Sequence, residues 1–182
     1  MRTLKYAILG LINRAPITGY DLSKEFEKGL VNFWYAKHSQ IYPELKKLVD
    51  EGLIQFEIQI TGEVLEKKIY SITEAGRKDL MQWILLDEAL EPTPKDIFKL
   101  RLYFSENMTL EQLKEQLENQ YKKKNEKYTI LKKNLSYYQC IPPIGSAEFG
   151  DYMVLSSANF REEAYLRWLK SCLQQLEKQT LE

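Results

Sequence analysis

The sequence predicts a mainly α-helical protein with a small β-hairpin. Three observations lead to this fold class: a short capped helical pattern over residues 39–52, two strand-like runs that follow it, and long helical patterns of apolar residues in the second half of the chain. A capped helix that leads directly into a hairpin is typical of a winged helix-turn-helix. The sequence therefore predicts an N-terminal winged helix-turn-helix and a C-terminal all-helical domain.

The central helix is bounded by residues that cap helices well. Ser39 is the predicted N-cap, because its hydroxyl can accept a hydrogen bond from a free amide, and Gly52 suits the left-handed conformation that closes a helix. Pro43 then falls in the first turn, where a missing amide donor costs least. The opposite face is left free to contact a partner, since four apolar residues at helical spacing are expected to face the core. These are Ile41, Leu45, Leu48 and Val49.

The two runs after this helix predict a hairpin. Apolar and polar residues alternate over residues 54–60, which is the pattern of a half-buried strand. Residues 61–63 supply a turn, and residues 67–73 have the composition of a second strand with a basic start. The apolar residues expected on the buried face are Ile54, Phe56, Ile58 and Ile60.

Two further helices are predicted before the central one. A strongly apolar pattern over residues 4–12 indicates a first helix that is buried on much of its surface. Thr18 with Asp21 resembles a capping box in acidic form and starts the second helix, with Gly19 setting the turn and Gly29 suiting the end. One face of the second helix carries Leu22, Phe26 and Leu30.

The composition limits the classes of function. Lys plus Arg and Asp plus Glu both total 26 in 182 residues, so any basic binding surface must be local. The cysteines, Cys140 and Cys172, and the single histidine have no metal-ligand spacing, and they fit a reducing compartment. The sequence has no apolar run long enough for a membrane span and no signal peptide. We therefore expect a soluble cytoplasmic protein without a metal or cofactor.

The second half of the chain follows an acidic connection that contains two prolines. We expect a winged-helix domain over residues 1–86, a linker over 87–96 and a helical domain over 97–182. A short apolar helix starts at Ile97. Thr109 with Gln112 matches a capping box and starts a long helix, and a last helix is predicted over residues 153–176. The apolar faces of these helices need more partner surface than one small module offers, which favours pairing with a second copy over packing within one chain.

Four separated blocks of sequence resemble one known family. They are residues 4–12 (LKYAILGLI), 18–22 (TGYDL), 40–48 (QIYPELKKL) with 51–54 (EGLI), and 68–77 (KIYSITEAGR). In this order they closely resemble the PadR family of bacterial transcriptional regulators. The resemblance implies a dimeric winged-helix protein, usually a repressor, that binds operator DNA and is often released by a small-molecule effector. The long tail resembles the branch in which a helical C-terminal domain completes the homodimer.

Ten residues are predicted to contact double-stranded DNA at a pseudopalindromic operator. Binding requires cations against phosphates and side chains on a projecting helix that reach base edges. Gln40 suits bidentate pairing with adenine. The hairpin over residues 54–73 is the wing of this fold, and Glu63 and Glu66 reduce its positive charge. The alternative is that these are ordinary solvated residues, and that Tyr70 packs in the sheet. The ten residues are Lys37, His38, Ser39, Gln40, Tyr42, Lys46, Lys47, Lys67, Lys68 and Tyr70.

An effector site is predicted from aromatic residues of both halves of the chain. Such side chains can enclose a flat apolar ligand, and Arg101 is a candidate anchor for a carboxylate. The alternatives are a core or dimer interface for the aromatic residues and an ion pair for the arginine. The candidate residues are Trp34, Phe98, Arg101, Tyr152 and Trp168.

The sequence also bears on two other classes of function, an enzyme and an adaptor. The sequence has no glycine-rich phosphate loop and no paired nucleophile and base, so we do not expect an enzyme. Cys140, before two prolines, is either a redox-sensing thiol in a turn or a small buried side chain. A winged-helix adaptor that binds protein rather than DNA is the alternative to a regulator, given the neutral overall charge.

Overall fold

The computed structural model describes residues 2–28, 30, 34, 36–61, 65–90 and 92–181. The chain forms two compact units, Met1–Ala89 and Leu90–Glu182. The first contains helices and strands in the order α1 (Thr3–Arg14), β1 (Ile17–Thr18), α2 (Gly19–Lys28), α3 (His38–Asp50), β2 (Ile54–Thr61), β3 (Leu65–Ile72) and α4 (Glu74–Ile84). The second contains α5 (Ile97–Tyr103), α6 (Leu110–Leu135) and α7 (Ala147–Leu181). The predicted fold class, mainly α with a small β element, is confirmed.

The core of the first unit lies between α1, α2, α3 and the base of the sheet. The predicted inward faces of these helices are confirmed, because each contributes side chains that are almost fully buried. Burial of one such aliphatic side chain contributes about 1.5–3 kcal/mol, so this core holds α3 firmly from its inner side. The core residues include Ile8, Leu9, Ile12, Leu22, Phe26, Ile41, Leu45, Leu48 and Ile54.

The sheet has three antiparallel strands in the order β1-β3-β2. The sequence predicted only β2 and β3, because β1 has two residues and is too short to show a period. The expectation that Ile58 and Ile60 are buried is wrong: both are exposed. The paired strands extend past the core, so only the end of β2 near Ile54 is covered. The predicted turn over residues 61–63 lies mostly outside the described residues.

The start of α3 differs from the prediction at Ser39. The helix begins at His38, and Lys37 occupies the N-cap position. The side-chain oxygen of Gln40, Oε1, accepts a hydrogen bond from the Lys37 backbone amide at 3.1 Å, so a glutamine side chain supplies the cap. Pro43 consequently lies in the second turn of α3 and not in the first.

At the start of α2 the predicted cap is confirmed, with the Asp21 amide donating to Thr18 Oγ1 at 3.1 Å. The prediction for Gly29 falls outside the described residues.

The end of α3 is closed by Gly52, as predicted. Gly52 has a φ of 69°, in the left-handed region. Its amide donates to the Val49 carbonyl at 2.9 Å, and the Leu53 amide donates to the Leu48 carbonyl at 3.0 Å. These are the two hydrogen bonds of a Schellman motif, which turns the chain sharply from the helix into β2.

Helix α4 ties the base of the hairpin to α1. Thr73 Oγ1 accepts from the Gly76 amide at 3.1 Å and donates to the Gly52 carbonyl at 2.8 Å, which joins the start of α4 to the end of α3. The Tyr6 and Trp83 rings stack with centroids 4.6 Å apart, and Lys5 forms an ion pair with Asp79. The hairpin of β2 and β3 and the helix α3 therefore share one base.

In the second unit, α6 and α7 pack against each other and run antiparallel. The predicted capping box of Thr109 and Gln112 at the start of α6 is confirmed. Helix α6 ends at Leu135, before the proline-containing turn, and α7 begins at Ala147, six residues earlier than predicted. Phe160, an aromatic residue of α7, is exposed. Over the described part of the chain, no helix is both long and apolar enough to span a membrane.

Candidate nucleic-acid interface

The outer face of α3 presents a row of polar side chains. Ser39, Tyr42 and Lys46 follow one another at helical spacing, on the side away from the buried Ile41 and Leu48. The exposed fraction of Tyr42 is 48%, and its ring lies 5.9 Å from the His38 ring one turn earlier. This face is therefore available to a partner while the inner face holds the helix in place.

Gln40 and Lys47 lie on the flank of this face, and Gln40 already has a partner. Its carbonyl oxygen caps α3 through the Lys37 amide. Bidentate pairing with adenine uses both ends of the amide, so the side-chain oxygen would have to accept from the adenine amino group and the Lys37 amide together. The nitrogen end of the Gln40 side chain remains free for a single donated hydrogen bond.

The wing contributes two exposed lysines on β3. Lys67 lies opposite Gln59, and Lys68 lies opposite Ile58. Lys68 Nζ lies 4.2 Å from the centroid of the Phe56 ring, so this ammonium group is held against the sheet by a cation–π contact. The wing therefore offers two cations, and Lys68 has an aromatic partner in Phe56.

Tyr70 lies in the core and not on the outer surface. Its side chain is buried, and its ring packs 5.8 Å from the Phe56 ring. Burial, and to a smaller extent the nearby Tyr42, raises the pKa of the Tyr70 phenol. The packing alternative fits this position better than a contact with DNA.

Sequence reasoning missed the charged pair behind α3. Glu44 lies on the inner side of the helix, and its carboxylate accepts hydrogen bonds from the Arg2 guanidinium. Arg2 also donates to Glu51 near the end of the same helix. The available signal was that Glu44 falls between inward-facing Ile41 and Leu48 in the helical pattern, where a carboxylate requires a partner.

The candidate effector residues do not form one described cluster. Phe98 and Trp168 meet edge to face with centroids 6.4 Å apart, and Tyr165 lies 5.1 Å from Trp168. Tyr152 packs instead against Tyr138, and Arg101 is exposed. Trp34 belongs to the first unit, where its ring centroid lies 5.8 Å from that of Phe26.

A cation also joins the aromatic group in the second unit. Lys99 Nζ lies 5.3 Å from the Tyr165 ring and 6.0 Å from the Trp168 ring. Sequence reasoning did not select Lys99, because one lysine on a short helix gives no pattern.

Cys140 is exposed, which excludes the buried alternative for that thiol. Among the described residues, no group of three or more histidine, cysteine, aspartate or glutamate side chains is placed to hold a metal ion.

Comparison with known proteins identifies the family. The chain is 40% identical over 181 residues to the negative transcriptional regulator PadR of Bacillus subtilis, covering 98% of this chain and 100% of that protein. The chain belongs to the PadR family of transcriptional regulators. The predicted resemblance is thereby confirmed. Residues 8–82 match the transcriptional regulator PadR-like family, and residues 94–177 match the family described as virulence activator alpha C-term.

Solved structures of PadR relatives share the architecture of both units. The crystal structure of Bacillus subtilis PadR in complex with operator DNA matches with a TM-score of 0.92 and 40% identity, covering 96% of this chain and 99% of that chain. The same PadR in complex with p-coumaric acid matches with a TM-score of 0.85 and 38% identity, covering 97% and 99%. The Vibrio cholerae virulence activator AphA matches with a TM-score of 0.71 and 27% identity, covering 97% and 99%. The PadR family is a class of regulators and not of enzymes.

Proposed function

We propose that this PadR-family protein is a cytoplasmic repressor, without enzymatic activity, that binds a pseudopalindromic operator as a homodimer. The observation that carries the proposal is the outer face of α3, where Ser39, Tyr42 and Lys46 are exposed on a helix whose inner face is held by the core. The similarity to an operator-bound PadR supports it. Residues 1–86 would bind DNA, 87–96 would connect, and 97–182 would form the dimer.

In this proposal the two copies of α3 enter successive major grooves about 34–36 Å apart. Ser39 and Tyr42 contact bases or backbone, and the lysines of α3 and the wing contact phosphates. Gln40 donates one hydrogen bond from its amide nitrogen, since its oxygen caps the helix. The remaining proposed contacts are Lys37, His38, Lys46, Lys47, Lys67 and Lys68.

We further propose that an aromatic carboxylic acid of the p-coumaric acid type releases the repressor. Support comes from the relative that was crystallised with p-coumaric acid and from the aromatic residues Phe98 and Trp168, which lie together in the second unit. Arg101 is exposed and would pair with the carboxylate, and Tyr152 is a further candidate in the same unit. The ligand would act by favouring a spacing of the two α3 helices that does not fit DNA.

The test of DNA binding is a mobility shift with fragments tiled across the region upstream of the gene. We expect one discrete complex that weakens as salt rises, because phosphate contacts release counterions. Tyr42→Ala should weaken it, while Lys123→Ala, which changes an exposed lysine of the second unit, serves as the control. The alternative, a winged-helix adaptor that binds protein, predicts no site-specific complex at any salt concentration.

The test of the effector is titration of p-coumaric acid into the complex with DNA. Release by p-coumaric acid but not by an aliphatic acid of equal charge would support an aromatic site. Trp168→Ala and Arg101→Ala should each raise the concentration of p-coumaric acid needed for release. Equal release of all variants would exclude these residues from the effector site.

A further inference from the structure

The close approach of Gly19 to Tyr42 accounts for a glycine that the sequence assigned to a turn. A Cβ atom built on Gly19 would lie 2.9 Å from Tyr42 Cε1 and 3.4 Å from Tyr42 Cζ. The backbone of Gly19 is not in the left-handed region, where Gly52 and Gly145 are found among the described glycines. The backbone conformation at residue 19 therefore suits any residue type, but there is no room beside it for a side chain.

The backbone of Gly19 is held on both sides. Immediately before it, Thr18 pairs with Ile69 in the sheet. The Gly19 carbonyl accepts a hydrogen bond from the buried Ser23 hydroxyl at 3.0 Å. A side chain at residue 19 would therefore displace the half-exposed Tyr42 ring and not the start of α2.

The ring of Tyr42 lies near residues of α2, α3 and β3. It lies against the start of α2 at Gly19, and its hydroxyl-bearing edge, Cε1 and Cζ, is the part nearest to that glycine. His38 lies 5.9 Å away on the same helix, and Tyr70 of β3 is close enough for its pKa to be raised by the Tyr42 phenol. The missing side chain of Gly19 thus leaves the space that the hydroxyl-bearing end of the Tyr42 ring occupies beside the start of α2.

We infer that Gly19 is a positioning residue for operator binding, because its lack of a side chain leaves the Tyr42 ring in the place from which its exposed part can contact the DNA. This inference rests on the proposed function, in which Tyr42 contacts DNA. Gly19 itself need not touch the DNA. Its effect on affinity passes through Tyr42 alone, which is what distinguishes it from a residue that only stabilises the fold.

The experiment is a double-mutant cycle on affinity for the operator fragment found in the upstream region. Gly19→Ala should weaken binding about tenfold, the effect of losing one contact worth about 1.4 kcal/mol. In the Tyr42→Ala background the same change should alter affinity by less than about twofold, because the displaced group is already absent. The thermal midpoint of Gly19→Ala should move by less than about 4 °C. Gly10→Ala is the matched control, since no heavy atom of the described residues lies within 4 Å of its added Cβ.

Three outcomes would overturn the inference. In the first, Gly19→Ala binds the operator with full affinity. In the second, the losses of affinity from Gly19→Ala and Tyr42→Ala add in the double variant. In the third, Gly19→Ala loses affinity and its thermal midpoint falls steeply, with or without Tyr42→Ala. If Gly19→Ala alone fails to fold, recovery of folding in Gly19→Ala with Tyr42→Ala would support the contact, and failure of both would refute it. Failure of the proposed function looks different, because the unaltered protein then binds no fragment, and the role of Gly19 in binding is refuted with it.

Discussion

Arg2 holds the carboxylate of Glu44 on the inner side of α3. The Arg2 Nε group donates to Glu44 Oε1 at 3.0 Å, and the exposed fraction of Glu44 is 7%. Arg2→Met should lower the free energy of unfolding by about 1–3 kcal/mol, since it leaves a nearly buried charge without its cation. The value falls below that of a fully buried pair, because the Arg2 side chain is 43% exposed. Urea unfolding followed by circular dichroism measures this change.

The control for Arg2→Met is a substitution of Glu51, the second partner of Arg2. Glu51→Gln removes a partner whose side chain is 38% exposed and should cost less than about 1 kcal/mol. Adding Glu44→Gln to Arg2→Met should recover part of the stability, because it removes the stranded charge. Equal stabilities of Arg2→Met and the unaltered protein would show that the pair does not support α3.

Gly76 is required by the close approach of α4 to the start of the hairpin. A Cβ atom at residue 76 would lie 2.0 Å from the Leu53 carbonyl oxygen. Gly76→Ala should destabilise the first unit by roughly 1–3 kcal/mol or more, because the opposing atom is backbone and cannot rotate away. Gly10→Ala, in the open part of α1, should instead stabilise by roughly 0.5–1 kcal/mol. Thermal unfolding of both variants measures the contrast, and equal midpoints would contradict the steric argument.

The parts of the fold that follow local periodicity were predictable from sequence. The inward face of α3, the Thr18 and Thr109 caps and the turn at Gly52 each depend on residues within one or two turns of one another. Features set by distant parts of the chain were not predictable. The strand β1 exists only because Ile17 lies beside Tyr70.

The candidate site was predictable in outline but not in its contacts. The exposed residues of α3 were selected from periodicity. Ser39 was given the cap because hydroxyls commonly cap helices, whereas the helix starts one residue earlier and Gln40 supplies the acceptor. Ile58 was assigned to a buried face because alternation cannot show where the core ends. The pairing of Gly19 with Tyr42 spans two helices and has no signal in a single sequence.

Lys46 should act on DNA affinity without reading sequence. It lies exposed on the outer face of α3, where the proposed function assigns it a phosphate contact. Lys46→Ala should weaken binding to operator and random duplex by a similar factor and reduce the slope of log K against log salt by about 0.9. Fluorescence anisotropy at four salt concentrations measures the slope. Lys133→Ala, which changes an exposed lysine of α6, is the control and should leave the slope unchanged. If Lys46→Ala also leaves the slope unchanged, Lys46 does not contact a phosphate.

Glu162 is the buried charge that joins α7 to α6. Its exposed fraction is 2%, and its carboxylate lies 2.9 Å from Lys124 Nζ and 3.2 Å from Lys127 Nζ. Burial acts to raise the pKa of Glu162, but the hydrogen bonds and charges of the two lysines outweigh it and hold the pKa below its ordinary value. The ionised carboxylate therefore stabilises the folded state of the second unit.

The sign of this pKa shift fixes the pH dependence. Because the folded pKa is below the unfolded one, the stabilisation is fully present above the unfolded value of about 4.3 and is lost as pH falls through the folded pKa. At pH 7, Glu162→Gln should lower the free energy of unfolding by about 1–3 kcal/mol. The difference from the unaltered protein should shrink as pH falls below about 4, because the unaltered carboxyl group then becomes neutral too. Urea unfolding at pH 7, 5 and 3 tests this, with Glu118→Gln as the control, since that glutamate is exposed and lies 3.9 Å from Lys114. A difference that stays constant down to pH 3 would show that the charge of Glu162 does not hold the two helices together.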